Sequence, residues 1–251
     1  MPADVQAHAV LVARQSGVIA GLLLAVATFK ALAPDVVIHA HAHDGAAVAA
    51  GINSAFTISG PARAVLSGER TALNFVGRLS GIATLQSYVR HTAGTKTAQI
   101  CCTRKTTPGL RALEKYAVRC GGGFNHRFGL GDAVLIKDNH IASAAARARC
   151  WSGRARIGHL VKIEIEVDTL DQLREVLDTG PRRCGAARQY GHRDAQAGRR
   201  RWRMVAWRWK LPAASPKARS RPSPRPASTT PPSGALTHSA PNFDVALDID
   251  A

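Results

Sequence analysis

The sequence has few cysteines, no long apolar run and few acidic residues, and each shortage excludes a class of protein. The five cysteines are odd in number and none stands in a Cys-x-x-Cys pattern, so neither a disulfide framework nor a structural zinc site is signalled. The longest apolar run, Gly17 to Phe29, has 13 residues, whereas a membrane-spanning helix needs roughly 20. We therefore expect a reduced, cytoplasmic protein without a membrane segment.

The shortage of acidic residues leaves the chain strongly basic. Across 251 residues, 17 Asp and Glu stand against 34 Lys and Arg, a formal charge of +17, which ordinarily suggests a nucleic-acid partner. Residues 181–233 alone carry 14 basic residues and one acidic residue, with eight of the 13 prolines and three of the four tryptophans. The excess charge therefore belongs to one unusual block and is not spread over a binding face.

Outside that block, strand and helix patterns alternate along the chain. Up to Asn74 short β-like runs accompany an Ala/Leu-rich helix at about 20–32, with turns at Asp44-Gly45 and Ser59-Gly60-Pro61. Later strands are expected at 98–102, 133–136 and 161–167, and later helices at 62–88 and 110–120. This order predicts a parallel α/β sheet or barrel, whose chemistry lies where the strands end.

The loops after the first later strand and after the helix at 110–120 are both rich in cations. Arg104 and Lys105 stand side by side, and three consecutive glycines, Gly121 to Gly123, precede His126 and Arg127. Glycines let the backbone approach a ligand and expose N–H groups suited to anions, and arginine can grip a carboxylate or phosphate with two hydrogen bonds. Ordinary solvated loops remain the alternative explanation of each.

The last two predicted strands end in polar and acidic groups. The apolar run 133–136 closes abruptly on Lys137 to His140, which is hard to explain as a solvated face. Glu164, Glu166 and Asp168 alternate along the last strand and so share one face. That face is either solvated or a barrel interior, and in the second case Mg²⁺ is the simplest cation to balance the carboxylates.

Together the strand ends present five cationic or donor groups opposite Glu166, a pattern that suits two anionic substrates and a metal. These groups are Arg104, Lys105, His126, Arg127 and Lys137. The sequence has no Ser-His-Asp elbow, no nucleophilic cysteine motif and no complete GxGxxG pattern, so hydrolysis and dinucleotide binding are not indicated.

At these residues the sequence resembles the quinolinate phosphoribosyltransferase family, also called nicotinate-nucleotide pyrophosphorylase (carboxylating). The motifs that carry the resemblance lie at 69–74, 79–84, 103–111, 114–127, 135–140, 164–168 and 234–239. The resemblance implies an α/β sandwich followed by an incomplete, TIM-like α/β barrel, and a homodimer. It places the sandwich at 1–78, the barrel at 79–239 and a tail at 240–251 that returns to the sandwich.

The reaction implied by the resemblance joins quinolinate to phosphoribosyl pyrophosphate with Mg²⁺, giving nicotinate mononucleotide, pyrophosphate and CO₂ for NAD synthesis. Arg104, His126, Arg127 and Lys137 would hold the quinolinate carboxylates, with Arg70 reaching in from the other subunit. Lys105 would meet the phosphoribosyl substrate, and Glu166 would face its ribose and the metal. The implied catalytic residues are Lys105, Lys137 and Glu166, and the implied substrate-binding residues also include Thr103 and Gly234. No nucleic-acid or membrane partner is expected.

The sequence departs from the family pattern in three places. It begins late relative to the family's opening helices, and Cys102 stands where the family usually has Asp. Residues 181–233 lack the family's Leu-Leu-Asp-Asn-Met metal strand and its Ser-Gly-Gly phosphate loop.

An out-of-frame translation explains the third departure. Codons compatible with Cys184–Gln196, read one base later, encode Ala-Val-Leu-Leu-Asp-Asn-Met, and codons compatible with Trp209–Ser215, read two bases later, encode Glu-Ala-Ser-Gly-Gly-Ile. We hypothesise that 181–233, and also about 143–156, are frame-shifted. Such a shift would disrupt the barrel and leave negligible turnover.

Two other functions stay open at this point. The Arg/Trp-rich block at 182–210 offers charge and stacking faces for single-stranded nucleic acid. A relative that uses nicotinate and does not decarboxylate is the other alternative, although the number of carboxylate-binding donors argues against it.

Overall fold

The structure of the chain is a computed structural model. It describes residues 2, 4–51, 54–92, 100–137, 139–140, 161–166, 184–188, 203–206 and 234–250. The chain divides into two units, Met1–His126 with Thr229–Ala251, and Arg127–Ser228.

Alternating small apolar residues form the central strand of the first unit. Strand β1 (Gln6–Ala13) buries every second residue, from Ala7 to Ala13, as expected of a strand with one face on the core. β1 pairs antiparallel with β5 (Ser54–Pro61) and with β10 (Val245–Asp250), and β5 pairs with β3 (Val37–Ala40). The sheet order is β10-β1-β5-β3. Two short strands, β2 (Gly17–Val18) and β4 (Ala47–Val48), pair separately.

Two helices pack against the sheet and complete the core of this unit. Helix α1 (Leu22–Leu32) buries Phe29, whose ring meets the edge of Phe56 from β5 at a centroid distance of 6.2 Å. Helix α2 (Ala62–Thr92) begins directly after Pro61, where a proline costs no helical hydrogen bond. The helix packs against α1 and the sheet through buried residues that include Val65 and Val76.

Helix α2 also holds strand β2 through two side-chain hydroxyls. Ser80 Oγ accepts from the N–H of Ala20 at 2.8 Å and donates to its carbonyl at 3.1 Å, and Thr84 Oγ1 accepts from the N–H of Val18 at 2.9 Å. A buried backbone thereby gains hydrogen-bond partners that the short β2–β4 pair does not supply. The family-like motif at 79–84 is accordingly structural.

Helix α3 (Arg111–Cys120) follows the loop Thr103–Leu110 and packs against the second half of α2. Ala117 and Val118 of α3 join Leu79 and Ile82 of α2 in a second apolar cluster. A short helix, α4 (Ala235–His238), also contacts α2 and α3, and β10 follows it.

The second unit contains a four-stranded sheet in the order β6-β7-β8-β9. Strands β6 (Ala133–Ile136), β7 (Lys162–Glu166) and β8 (Cys184–Arg188) are parallel, and β9 (Arg203–Ala206) is antiparallel to β8. The predicted mixed α/β class is confirmed, and so are the strands at 133–136 and 161–167 in their described parts.

The predicted turn at Ser59-Gly60-Pro61 is wrong. These residues end β5 and pair with β1, with Gln6 opposite Pro61. Beyond Ser59, β5 has no β3 partner, so the missing N–H of proline costs no ladder hydrogen bond on that side. The predicted turn at Asp44-Gly45 is confirmed, with Gly45 at φ 95°.

One expectation about the second sheet differs from the structure, and several predicted segments lie outside the described residues. A wholly parallel sheet was expected, whereas β9 runs antiparallel, and both β8 and β9 lie in the block 181–233. The rest of that block lies outside the described residues. So do residues 143–156, residue 167 of the predicted strand 161–167, and residues 98–99. The domain boundary at residue 78 stays a prediction, and α2 runs continuously across it.

Candidate functional site

Two predicted substrate-binding segments of the first unit, those that follow Cys102 and Phe124, lie next to each other. Each follows one of two short backbone stretches that pair in parallel. Cys101 bridges Phe124 in parallel, the N–H of Cys102 donates to the Phe124 carbonyl at 3.1 Å, and the N–H of Phe124 donates to the Ile100 carbonyl at 2.9 Å. Because the two stretches are parallel, Thr103 and the residues after it emerge beside the segment that leads to His126. The structure thus brings together the loop carrying Arg104 and Lys105 and the segment carrying His126.

The loop Thr103–Leu110 has a fixed backbone and cationic side chains in different environments. Thr103 Oγ1 accepts from the N–H of Lys105 at 3.2 Å, and the N–H of Thr106 donates to the Arg104 carbonyl at 3.0 Å. Lys105 is exposed, whereas the Nε atom of Arg104 is buried and has no hydrogen-bond partner among the described residues. A buried guanidinium N–H without a partner is costly, and an anion that accepted from this N–H would remove that cost.

A buried ion pair lies behind this loop. Glu114 of α3 is fully buried, and Arg78 of α2 contacts its Oε1 at 2.7 Å through a guanidinium nitrogen. Glu114 also accepts from the N–H of Thr107 at 3.1 Å and from its hydroxyl at 2.8 Å. Arg78 donates further to the Thr237 and Ala240 carbonyls. The pair therefore connects two helices, the loop and the segment around α4.

A second buried cation, Lys115, holds the neighbouring segment. Its ammonium, in a residue 2% exposed, donates to the His126 carbonyl at 2.9 Å and to Cys102 Sγ at 3.1 Å. Cys102 in turn donates to Asn125 Oδ1 at 3.3 Å. Within the part of the chain that the structure describes, Lys115 has no carboxylate partner.

The interpretation of Gly121–Gly123 as an anion-binding loop is wrong. Their N–H groups donate to the carbonyls of Ala117, Arg119 and Val118 respectively, which is the Schellman pattern that ends a helix, with Gly122 at φ 76°. No N–H of these glycines is left for an anion. A Cβ atom on Gly123 would lie 2.5 Å from the side chain of Gln86 on α2, so the glycines allow close packing against a helix.

The segment around α4 lies against Lys105. Thr237 Oγ1 donates to the Lys105 carbonyl at 2.6 Å, and a Cβ atom on Gly234 would lie 2.6 Å from Lys105 Cδ. The structure therefore brings together Gly234 and Lys105, both predicted to bind substrate. Arg70, by contrast, is an exposed residue of α2 whose guanidinium lies 3.8 Å from Glu69.

In the second unit, the remaining predicted residues lie on or next to β6 and β7. Arg127 donates to the Ala133 carbonyl at 3.0 Å, and Lys137 directly follows β6. Glu164 and Glu166 share one face of β7, with Glu164 opposite Leu135. Both carboxylates are partly exposed, and Asp168 and Asp138 lie outside the described residues. The described residues contain no group of three or more His, Cys, Asp or Glu that forms a metal site by itself.

Family models match most of the chain. The model for the N-terminal domain of quinolinate phosphoribosyl transferase matches residues 1–80, and the model for its C-terminal domain matches residues 82–183. The chain belongs to the quinolinate phosphoribosyltransferase family.

Members of this family are also the relatives found by sequence. A probable nicotinate-nucleotide pyrophosphorylase (carboxylating) of Bacillus subtilis is 47% identical over 174 residues, 69% of this chain and 60% of the relative. A nicotinate-nucleotide pyrophosphorylase (carboxylating) of Mycobacterium leprae is 41% identical over 184 residues, 72% of this chain and 64% of the relative. The matched region thus spans about three fifths of these curated relatives.

Solved structures of the same family share the fold. The crystal structure of NadC from Streptococcus pyogenes has a TM-score of 0.74 and 29% identity, and the match covers 100% of this chain and 88% of that one. The nicotinate-nucleotide pyrophosphorylase of Francisella tularensis has a TM-score of 0.74 and 26% identity, with coverage of 98% and 87%. The expected family and α/β architecture are confirmed.

The family membership leaves the nucleic-acid alternative without support, since these relatives are named for pyridine-nucleotide chemistry. The printed names of these relatives specify the carboxylating enzyme. Among the described residues, no helix is long and apolar enough to cross a membrane.

Sequence inspection missed Arg78, Glu114, Lys115 and Thr237, which organise the site without belonging to the predicted set. One signal was available in α3, because Glu114 and Lys115 lie in register with the buried residues Ala117 and Val118. Charged residues on the apolar face of a helix require partners, and here these come from helix α2 and from the loops on either side of α3.

Proposed function

We propose that the chain has the site of a quinolinate phosphoribosyltransferase, whose reaction transfers the phosphoribosyl group from phosphoribosyl pyrophosphate to quinolinate. The products are nicotinate mononucleotide, pyrophosphate and CO₂. The frame shift proposed for 181–233 would leave this particular chain with negligible turnover. The observation that carries the proposal is the parallel backbone pairing at Cys101 and Phe124, which sets the Arg104–Lys105 loop beside the His126 segment in a chain of this family.

The proposed binding roles follow from charge. Quinolinate is a dicarboxylate, and the partner-free buried Nε of Arg104 supports its assignment to one carboxylate. His126, Arg127 and Lys137 supply the further donors, with Arg70 added across a homodimer. The exposure of Arg70 on α2 is compatible with reaching another subunit.

Lys105, Gly234 and Glu166 are assigned to the phosphoribosyl substrate. Lys105 would neutralise phosphate charge beside Gly234, while Thr103 supports the loop through its bond to the Lys105 N–H at 3.2 Å. The pyridine nitrogen is itself the nucleophile, so the protein need form no covalent intermediate. Its contribution is positioning together with stabilisation of positive charge on the sugar and negative charge on pyrophosphate.

Magnesium fits this arrangement only if the protein and the bound substrate hold the ion together. The described residues contain no complete metal site of their own, but Mg²⁺ is commonly held by one or two carboxylates plus substrate phosphates. Glu166 would supply a carboxylate to Mg²⁺, which when bound would neutralise charge on the departing pyrophosphate.

Isothermal titration calorimetry on the full chain tests the substrate assignment. We expect quinolinate to bind, and Arg104→Gln to weaken binding about tenfold or more, as loss of a charge-assisted contact predicts. Arg14→Gln, which removes an exposed arginine bridged to Asp248 at 3.6 Å, is the matched control and should bind normally. Equal affinity for quinolinate and nicotinate, or no effect of Arg104→Gln, would contradict the proposal.

We also propose that 181–233 is a frame-shifted translation, which would remove metal-side and phosphate-side groups and make turnover negligible. The C-terminal family model supports this, because its match ends at residue 183. Resequencing of the gene tests it: codons incompatible with the two hidden family motifs would exclude the shift. Rapid nicotinate mononucleotide formation by this chain would contradict the predicted loss of turnover.

A further inference from the structure

The segment Gly234–Ala240 fixes the backbone of Lys105 through one buried hydroxyl. Thr237 is fully buried, and its Oγ1 donates to the Lys105 carbonyl at 2.6 Å. The two residues are 132 positions apart in the chain, so this contact is tertiary. The bond is partly buried, so without the hydroxyl the Lys105 carbonyl keeps at most solvent as a donor and its backbone is held less firmly.

Thr237 is itself held rigidly by α2. The Thr237 and Ala240 carbonyls both accept from Arg78, the latter at 3.1 Å, and Arg78 is paired with Glu114. Glu114 accepts from the N–H of Thr107 at 3.1 Å. The loop is therefore anchored at residue 105 by Thr237 and at residue 107 by Glu114, and both anchors meet in the same ion pair.

The same segment directs the side chain of Lys105. The position of Lys105 Cδ, 2.6 Å from where a Cβ of Gly234 would lie, places the lysine stem along the segment. Lys105 is nevertheless exposed. A fixed backbone and a supported stem reduce the freedom that a flexible lysine otherwise loses on binding.

We propose that Thr237 is a positioning residue for Lys105 and thereby sets the affinity for the phosphorylated sugar substrate, an inference that rests on the proposed function. Arg104 depends less on Thr237, because its carbonyl is held within the loop by the N–H of Thr106 at 3.0 Å. Loss of the Thr237 hydroxyl should therefore affect the phosphorylated sugar more than the pyridine dicarboxylate.

Three variants of the full chain test this role. Thr237→Val replaces the hydroxyl by a methyl group of similar size, and Thr237→Ser keeps the hydroxyl. Thr28→Val is the matched control, because Thr28 makes a comparable bond to the Leu24 carbonyl at 2.8 Å on α1. Calorimetry gives the affinities for phosphoribosyl pyrophosphate with Mg²⁺ and for quinolinate, and amide hydrogen exchange reports on residues 103–110.

We expect Thr237→Val to weaken phosphoribosyl pyrophosphate binding about tenfold, with quinolinate affinity changed less than twofold. Amide exchange at 103–110 should accelerate in this variant alone, and Thr237→Ser should behave like the unmodified chain. Equal weakening of both ligands, with faster exchange throughout the first unit, would show a merely structural role and overturn the inference. Unchanged exchange at 103–110 would also overturn it.

The exchange measurement separates this inference from the proposed function. A chain that binds neither ligand refutes the proposed function. In that case Thr237→Val still either releases the 103–110 segment, which upholds Thr237 as its anchor, or leaves it unchanged, which refutes the anchor.

Discussion

The loops at the two ends of helix α3 carry neighbouring parts of the proposed site but are held by different forces. The loop Thr103–Leu110, before the helix, is held by the carboxylate of Glu114, which meets the N–H and hydroxyl of Thr107 and the guanidinium of Arg78. The loop Gly121–His126, after the helix, is held by a Schellman turn and by the ammonium of Lys115 on the His126 carbonyl. Glu114 and Lys115, which are adjacent and oppositely charged, thus hold the loops at opposite ends of α3.

The comparison shows that the two loops are vulnerable to different changes. The first depends on a compensated buried charge, so removing one partner leaves the other charge buried and unpaired. The second depends mainly on backbone hydrogen bonds and on the absence of side chains at Gly121 and Gly123, where α2 approaches. Its charged contact is made to a carbonyl and a thiol, which are weaker partners for an ammonium than a carboxylate.

The largest expected effect comes from breaking the ion pair at the first loop. Glu114→Gln should lower the free energy of unfolding by about 3 kcal/mol, because it leaves the Arg78 guanidinium without a counter-charge. Arg78 is 20% exposed and Glu114 is fully buried, so solvent screens the pair only weakly. Urea unfolding followed by circular dichroism measures the change.

Glu69→Gln is the control for this prediction. Glu69 forms a longer contact of 3.8 Å with Arg70, whose side chain is 77% exposed, so its removal should cost less than about 1 kcal/mol. Equal destabilisation by the two variants would show that the buried pair does not hold the first loop.

Elements with a periodic apolar pattern are predictable from the sequence, whereas the role of the glycine run after α3 is not. Helices α1, α2 and α3 and strands β1, β6 and β7 were expected from apolar periodicity, and the structure has them. The sequence leaves Gly121–Gly123 open between a ligand-binding loop and an ordinary loop, because a run of glycines suits both an anion loop and a helix end. Only the hydrogen-bond partners of the three N–H groups, on Ala117, Arg119 and Val118, decide between the two.

The loops of the candidate site are predictable from local sequence patterns, but the residues that anchor them are not. Local patterns place Arg104, Lys105 and His126 after strands or turns, and the structure confirms that their segments are adjacent. The anchors are long-range: Thr237 is 132 residues from Lys105, and Arg78 is 36 residues from Glu114. A single sequence without its fold contains no periodic signal for such pairs.

A smaller effect is expected at the second loop, where Lys115 lacks a carboxylate partner among the described residues. Cys102→Asp would place a carboxylate next to the buried ammonium, in the position where the family usually has Asp. We expect a favourable coupling of about 2 kcal/mol between Asp at 102 and Lys at 115 in a double-mutant cycle with Lys115→Met. Unfolding free energies of the four chains measure this coupling.

The cycle has a built-in control in Lys115→Met alone, which removes the ammonium from the His126 carbonyl and should cost about 1 kcal/mol. The double variant should be the least stable of the four, because its carboxylate is buried without a cation. Additive single effects would mean that Lys115 does not interact with residue 102, contrary to the 3.1 Å contact with Cys102 Sγ.

The smallest expected effect concerns a third loop, Phe128–Asp132, which uses a carboxylate as the first loop does but in full solvent. Asp132 accepts from the N–H of Phe128 at 2.6 Å and from the N–H of Gly129 at 2.9 Å. These hydrogen bonds, chiefly that from Phe128, lower the pKa of the Asp132 carboxyl below its ordinary value of 3.8. A lowered pKa in the folded chain stabilises the loop above the ordinary pKa, and the stabilisation is lost as the pH falls through the folded value.

Amide hydrogen exchange at Phe128 and Gly129 should therefore follow only its intrinsic pH dependence from neutral pH down to about pH 4. Below that range, protection at both amides should fall as Asp132 protonates. Asp132→Asn should remove the acid-dependent step at Phe128 and Gly129 without affecting Thr107. If the same step persists in Asp132→Asn, another group controls the loop, and the proposed role of Asp132 as its anchor fails.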